Sequence, residues 1–74
     1  MSDTTQQQIC FQVNGEPFTS VDGMTVIELI REMKLAGKRV AVEVNEEIVS
    51  GSRHAITILS DGDVVEVVTA IGGG

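Results

Sequence analysis

The sequence predicts a small α+β protein in which one main helix covers one face of a sheet. Segments in the first and second halves of the chain alternate apolar and polar residues, as half-buried strands do. Between them, apolar residues recur at the spacing of a helix. The 74 residues allow only one small core. The expected order is strand, strand, helix, strand, short strand, strand, in a mixed sheet of four to five strands.

The first two predicted strands form a hairpin. Three apolar residues at alternate positions share one face of the first strand: Ile9, Phe11 and Val13. Asn14-Gly15 follows and predicts a two-residue turn, because both of its positions require a positive φ. The return strand spans 16–20, and Pro17 lacks the N–H that a central strand would need. We therefore expect this strand at an edge of the sheet.

The predicted helix begins at a capping box formed by Thr25 and Glu28. One apolar stripe follows at positions i, i+3, i+4 and i+7: Val26, Leu29, Ile30 and Met33. Gly37 is the predicted stop, which gives a helix of about 10–12 residues. A helix this short needs the sheet to stabilise it.

The second half of the chain predicts three further strands. They are the alternating segment 40–44, the short pair Ile48-Val49, and the valine-rich segment 64–68. The last strand follows a turn at 61–63, where two aspartates flank a glycine. Residues 53–60 fit neither the repeat of a helix nor the alternation of a strand. We expect their isoleucines and leucine, Ile56, Ile58 and Leu59, to supply apolar contacts.

The outward positions of the two long strands form a candidate docking surface. Val65 and Val67 are predicted to point inward. Five residues then face outward, three apolar and two acidic: Val64, Val68, Ala41, Glu43 and Glu66. Arg or Lys side chains of a partner protein could meet the two carboxylates. The alternative is a solvated face with scattered apolar residues.

Charge and composition exclude several classes of function. Five basic residues stand against eleven acidic ones, a formal net charge of −6, which argues against nucleic acid and anionic membranes as partners. The sequence has a single cysteine, Cys10, which excludes an internal disulfide. It also has a single histidine, His54, and one cysteine with one histidine predicts no metal site. We expect Cys10 to be an exposed thiol without catalytic activation and His54 to lie at the surface. A thiol enzyme that uses Cys10 is a minor alternative.

The two ends of the chain are predicted to be flexible. Residues 1–8 are polar after Met1 and lack the basic and apolar regions of a signal peptide. No apolar run approaches the roughly 18 residues of a transmembrane span. We therefore expect a cytoplasmic protein, with a flexible tail at 69–74.

The sequence ends in three glycines directly after the last predicted strand. Glycine weakens ordered elements, so these residues favour a chemical role at the terminal carboxyl. A glycine end leaves the carbonyl unhindered and can enter a narrow channel. Residues 69–74 could extend by about 20 Å, at roughly 3.3–3.6 Å per residue. An idle tail on a simple binding module is the alternative.

Together these segments resemble the thiamine-biosynthesis sulfur-carrier (ThiS) family. The resemblance covers residues 9–74 and rests on five stretches: Asn14-Gly15-Glu16-Pro17-Phe18, Thr25-Val26, Val40-Ala41-Val42-Glu43-Val44-Asn45, Asp61-Gly62-Asp63 and Ala70-Ile71-Gly72-Gly73-Gly74. The small subunit of molybdopterin synthase shares the fold and the diglycine end, and it is the alternative. Ala70-Ile71 favours the thiamine branch.

The resemblance implies a ubiquitin-like β-grasp domain at 9–68 and a carrier rather than an enzyme. An adenylating enzyme of the ubiquitin-activating type would use ATP and Mg²⁺ to activate the carboxylate of Gly74. Sulfur from a cysteine desulfurase would convert it to a thiocarboxylate, and thiazole synthase would accept that sulfur. Gly72 and Gly73 would thread into the partners' active sites, and Ile71 would join the partner contacts. The chain itself would bind no cofactor.

Overall fold

Five strands form one mixed sheet, and one helix covers one of its faces, in the computed structural model, which describes residues 7–69. In chain order the elements are β1 (Gln8–Val13), β2 (Glu16–Val21), α1 (Val26–Glu32), β3 (Val40–Val44), β4 (Glu47–Val49), a 3₁₀ turn (Gly51–Arg53) and β5 (Val64–Thr69). The order across the sheet is β2-β1-β5-β3-β4. β1 and β5 are parallel, and the other neighbours are antiparallel. This is the β-grasp arrangement, and it confirms the predicted fold class.

The limits of the domain differ slightly from the prediction of 9–68. β1 begins at Gln8, and β5 extends to Thr69, which pairs with Val40 of β3. Thr69 therefore belongs to the sheet and not to the tail. The rest of the predicted tail, residues 70–74, and most of the predicted lead, residues 1–6, lie outside the described residues.

The predicted hairpin is confirmed. Asn14 and Gly15 form its turn with φ values of 52° and 85°. The register places Phe11 opposite Phe18, with their rings stacked at a centroid distance of 5.3 Å. Pro17 lies on β2, which is an edge strand as expected.

Helix α1 begins as predicted but ends early. The Glu28 amide donates to the hydroxyl of Thr25, and the Thr25 amide donates to the Glu28 carboxylate, so both halves of the capping box are present. The helix then stops at Glu32 because Lys34 takes a left-handed φ of 64°. The predicted stop at Gly37 is wrong, and the helix has 7 residues.

The core lies between α1 and the sheet. It contains ten buried apolar residues: Ile9, Phe11, Val13, Val26, Leu29, Ile30, Val42, Leu59, Val65 and Val67. Within the uncertain segment 53–60, Leu59 is fully buried, whereas Ile56 and Ile58 are 65% and 60% exposed. Leu59 is therefore the residue of this segment that joins the core, and the two isoleucines are largely exposed.

His54 is buried, which corrects its predicted surface position. Its ring Nε2 lies 3.1 Å from the carbonyl oxygen of Val49. A carbonyl can only accept, so Nε2 carries the proton. The carbonyl of His54 in turn accepts from the amide of Ile27 in the first turn of α1. The residue thus links the end of β4 to the start of the helix.

Candidate functional site

The face of the sheet opposite α1 carries the predicted docking surface. Along β3 and β5, Ala41 lies directly opposite Val68, and Glu43 lies directly opposite Glu66. All four side chains are exposed, and Val68 retains 59% of its accessible area. Val64 is also exposed, at 46%. The structure therefore brings the five predicted residues onto one surface, and their role in partner binding stays a prediction.

Ile48 belongs to the same surface and was not predicted as part of it. It lies opposite Glu43 on the neighbouring strand β3, and it is 79% exposed, more than any other large apolar residue described. The sequence predicts only the pair Ile48-Val49 as a strand here, which is too short for alternation to define a face. We call the six residues the open-face patch: Val64, Val68, Ala41, Ile48, Glu43 and Glu66.

The patch combines two negatively charged side chains, placed opposite each other, with apolar neighbours. Glu43 and Glu66 occupy directly opposite positions on antiparallel strands, where like charges are destabilising. Apolar side chains lie beside this pair in the register, Ile48 across from Glu43 and Val68 two residues along β5 from Glu66. Such a surface suits a partner that presents a cation between apolar side chains.

Strand β5 connects the patch to the predicted reactive end. It lies between β1 and β3 in the middle of the sheet, and its inward residues Val65 and Val67 are buried. The burial confirms the predicted inward and outward positions of this strand. The residues predicted to carry the chemistry or to enter partner sites, Ile71, Gly72, Gly73 and Gly74, follow β5 in the sequence and lie outside the described residues.

The predicted turn before β5 is confirmed and is held by side-chain hydrogen bonds. The Cys10 amide donates to the carboxylate of Asp61, at 2.8 Å, and the Gly62 amide donates to the carbonyl of Cys10. Asp63 accepts from the amide of Ser60 at 2.8 Å. The two aspartates therefore shape a turn. The thiol of Cys10 is exposed, as expected.

Within residues 7–69, no three His, Cys, Asp or Glu side chains come together in a way that could hold a metal ion. No helix in this part of the chain is both long and apolar enough to span a membrane.

A β-grasp sheet with an open face and a last strand that leads toward a glycine end defines the class of ubiquitin-like proteins. The chain belongs to the ThiS family, whose family model matches residues 11–74.

Comparison with known proteins gives three informative relatives. The sulfur carrier protein ThiS of Thermus thermophilus is 45% identical over 62 residues, which cover 84% of this chain and 95% of that protein. A thiazole synthase of Paramagnetospirillum magneticum is 44% identical over 62 residues, but the match covers only 19% of that protein. The crystal structure of a thiamine biosynthesis protein (ThiS) from Geobacter metallireducens superposes with a TM-score of 0.75 at 35% identity. That match covers 89% of this chain and 100% of that one.

Proposed function

We propose that this chain, a sulfur carrier of thiamine biosynthesis, carries its sulfur as a thiocarboxylate on Gly74. The main support for this proposal is the extent of the family match, which runs through residue 74 and so includes the glycine end. Support also comes from the fold, because β5 leads from the middle of the sheet toward these glycines.

The proposed chemistry begins with activation of the carboxylate. An adenylating enzyme joins the Gly74 carboxylate to the AMP part of ATP and releases pyrophosphate, with Mg²⁺ balancing the phosphate charge. A carboxylate is a poor electrophile, and the acyl-adenylate supplies a good leaving group. The terminal sulfur of a persulfide then attacks the carbonyl carbon, and AMP leaves. A thiol reduces the resulting S–S bond, which leaves the thiocarboxylate on the chain.

In this scheme the chain is a co-substrate of larger enzymes. The absence of a side chain at Gly72, Gly73 and Gly74 lets the end enter a narrow active site, and no nucleophile within these residues can attack the activated carboxyl. Recognition comes from the folded body and reaction takes place at the end of the chain. The thiocarboxylate sulfur is the nucleophile that the acceptor enzyme uses.

Thiazole synthase is the proposed acceptor of the sulfur. Two thiazole synthases contain a segment that matches 62 residues of this chain, at 44% and 39% identity. A carrier-like segment within the same polypeptide as the acceptor supports a working relationship between the two. The adenylating enzyme and the cysteine desulfurase that feeds the persulfide are further proposed partners, and a reducing cytoplasm is the proposed compartment.

The open-face patch is the proposed docking surface for these partners. Val68 lies one residue before the end of β5, so a partner bound over Ala41 and Val68 sits close to where the strand leads into residues 70–74. The carboxylates of Glu43 and Glu66 would meet Arg or Lys of the partner. Binding there would also relieve the repulsion between the two glutamates.

Complementation tests the proposed function. In bacterial strains that lack their own sulfur carrier for thiamine, the full chain should restore growth without added thiazole, and a variant without Gly73 and Gly74 should not. The truncated variant leaves the described fold, residues 7–69, unchanged, so it is a matched control. Growth supported by the truncated variant would indicate an idle tail. Rescue of a strain that lacks the molybdopterin carrier, without rescue of the thiamine strain, would overturn the thiamine assignment.

A further inference from the structure

The backbone pairing between β1 and β5 stops before β5 ends. The Gln12 amide donates to the carbonyl of Asp63 at 2.9 Å. The Asn14 amide donates to the carbonyl of Val65, also at 2.9 Å. In this parallel pairing, the next amide and carbonyl available on β5 are those of Val67, two residues further along the strand. The backbone of β1 cannot pair with them, because the chain turns away after Asn14.

The side chain of Asn14 provides this missing pairing. Its Nδ2 donates to the carbonyl of Val67 at 3.1 Å, and its Oδ1 accepts from the amide of Val67 at 2.8 Å. A carboxamide has the same donor and acceptor as a peptide group, so it pairs with the strand as a backbone would. The φ of 52° at Asn14 is one that asparagine tolerates better than most residues.

The last part of β5 is therefore held from both sides. On one side β3 pairs with it, with Val42 opposite Val67 and Val40 opposite Thr69. On the other side, Asn14 holds Val67 by two hydrogen bonds. Without this side chain, the strand end that leads to residues 70–74 would lose its contacts on the β1 side.

Asn45 makes a comparable contact at the opposite end of β5. It occupies the first position of the second hairpin turn with the same φ of 52°. Its Oδ1 accepts from the amide of Val64 at 2.9 Å, and its Nδ2 donates to the carboxylate of Asp63 at 3.0 Å. The chain thus offers two asparagines with the same φ, one whose side chain bonds the start of β5 and one whose side chain bonds a residue near its end.

We infer that Asn14 is a positioning residue for the reactive C-terminus and acts through Val67 of β5. The inference rests on the proposed function at Gly74. Holding the end of β5 restricts the directions in which the following residues can leave the sheet. A docked carrier then samples fewer orientations before its carboxyl reaches the enzyme's active site. Productive geometry matters because a misplacement of roughly 1 Å can lower a rate by about 100-fold.

The test compares Asn14→Gly with Asn45→Gly. Glycine adopts positive φ readily, so each variant keeps a residue suited to its turn. Asn14→Gly loses the two hydrogen bonds to Val67, and Asn45→Gly loses those to Val64 and Asp63. In Asn14→Gly, the hydrogen-exchange rate of the Val67 amide should rise at least about tenfold, after correction for the rise that the loss of global stability alone would cause. Asn45→Gly should leave the exchange of Val67 unchanged after the same correction.

Kinetics with the adenylating enzyme provide the functional readout. Asn14→Gly should lower kcat for adenylation about tenfold and change KM for the carrier less than about threefold, because the docking surface is intact. Asn45→Gly should keep kcat within about twofold of wild type. Asn14→Asp, which keeps the acceptor for the Val67 amide but loses the donor, should fall between wild type and Asn14→Gly and serves if the glycine variant folds poorly.

A wild-type kcat in both Asn14 variants would overturn the inference, and so would an equal loss of kcat in Asn14→Gly and Asn45→Gly. If the wild-type chain is not adenylated at all, the proposed function fails instead. In that case the exchange rate of Val67 still decides whether Asn14 holds the end of β5, since an unchanged rate contradicts the inference independently.

Discussion

Lys34 ends helix α1 in a left-handed conformation that lysine rarely adopts. Its amide donates to the carbonyl of Arg31, and the amide of Leu35 donates to the carbonyl of Ile30, which together form a Schellman motif. Glycine is the usual residue at this position because it lacks the Cβ that makes a positive φ unfavourable. The next residue, Leu35, packs against the core.

Replacement of Lys34 by glycine should therefore stabilise the protein, by about 0.5–1 kcal/mol in the free energy of unfolding. Lys38→Gly is the matched control, because Lys38 is an exposed lysine whose φ is not positive. It should be neutral or destabilising, since glycine there only increases the entropy of the unfolded chain. Urea denaturation measures both. Equal effects of the two substitutions would contradict the role of the backbone conformation at Lys34.

His54 contributes to stability through burial and through its bond to the carbonyl of Val49. His54→Ala should lower the free energy of unfolding by about 1–3 kcal/mol, because it removes a buried ring and leaves that carbonyl without this partner. Arg53→Ala, at the exposed neighbouring residue, should stay within about 0.5 kcal/mol of wild type. Equal small effects of the two substitutions in thermal or urea denaturation would argue against a structural role for His54.

At the scale of elements, the sequence predicted what local signals determine. The Asn14-Gly15 turn, the capping box at Thr25 and the alternation in 40–44 each depend on residues close together in the chain, and the structure confirms all three. Strand pairing is harder to predict from the sequence. The structure nevertheless confirms that Val65 and Val67 face the core, because one face of β5 must be buried.

The features that the sequence did not predict have different physical causes. Residues 54–60 form no helix or strand, and the fully buried Leu59 is tied by its amide to the carbonyl of Met24, next to the start of α1. Ile48 joins the open-face patch through the register of β3 with β4, which three residues cannot specify alone. The helix ends at Glu32 because Lys34 takes a left-handed conformation, which lysine does not signal in the sequence.

The element-scale claim for the open-face patch is that Glu43 and Glu66 serve binding at the expense of stability. Glu66→Gln should raise the free energy of unfolding by about 0.2–1 kcal/mol, because it removes a like charge directly across from Glu43. It should also raise KM for the carrier with the adenylating enzyme. Glu47→Gln is the control, since Glu47 lies opposite Val44 and not opposite an acid.

A rise in both the free energy of unfolding and KM for Glu66→Gln, without either change in Glu47→Gln, supports the patch as a docking surface. An unchanged KM in Glu66→Gln would indicate that the acidic pair faces only solvent.

For the whole molecule, the proposed function separates recognition from reaction. The helix and the inner face of the sheet form the core, the outer face carries the exposed open-face patch, and the glycine end follows the middle strand β5 in the sequence. A small domain of this kind suits a carrier that several larger enzymes must bind in turn. The acidic surplus, with a net charge of −6, favours partners with basic surfaces.

Intact-mass spectrometry tests directly whether Gly74 carries sulfur. After incubation with the cognate adenylating enzyme, ATP, Mg²⁺, a persulfide donor and a thiol reductant, the chain should gain about 16 Da, since one oxygen is replaced by sulfur. Fragmentation should assign the gain to Gly74, and a chain without Gly73 and Gly74 should show none. An unchanged mass, or a gain located at Cys10, would contradict the account.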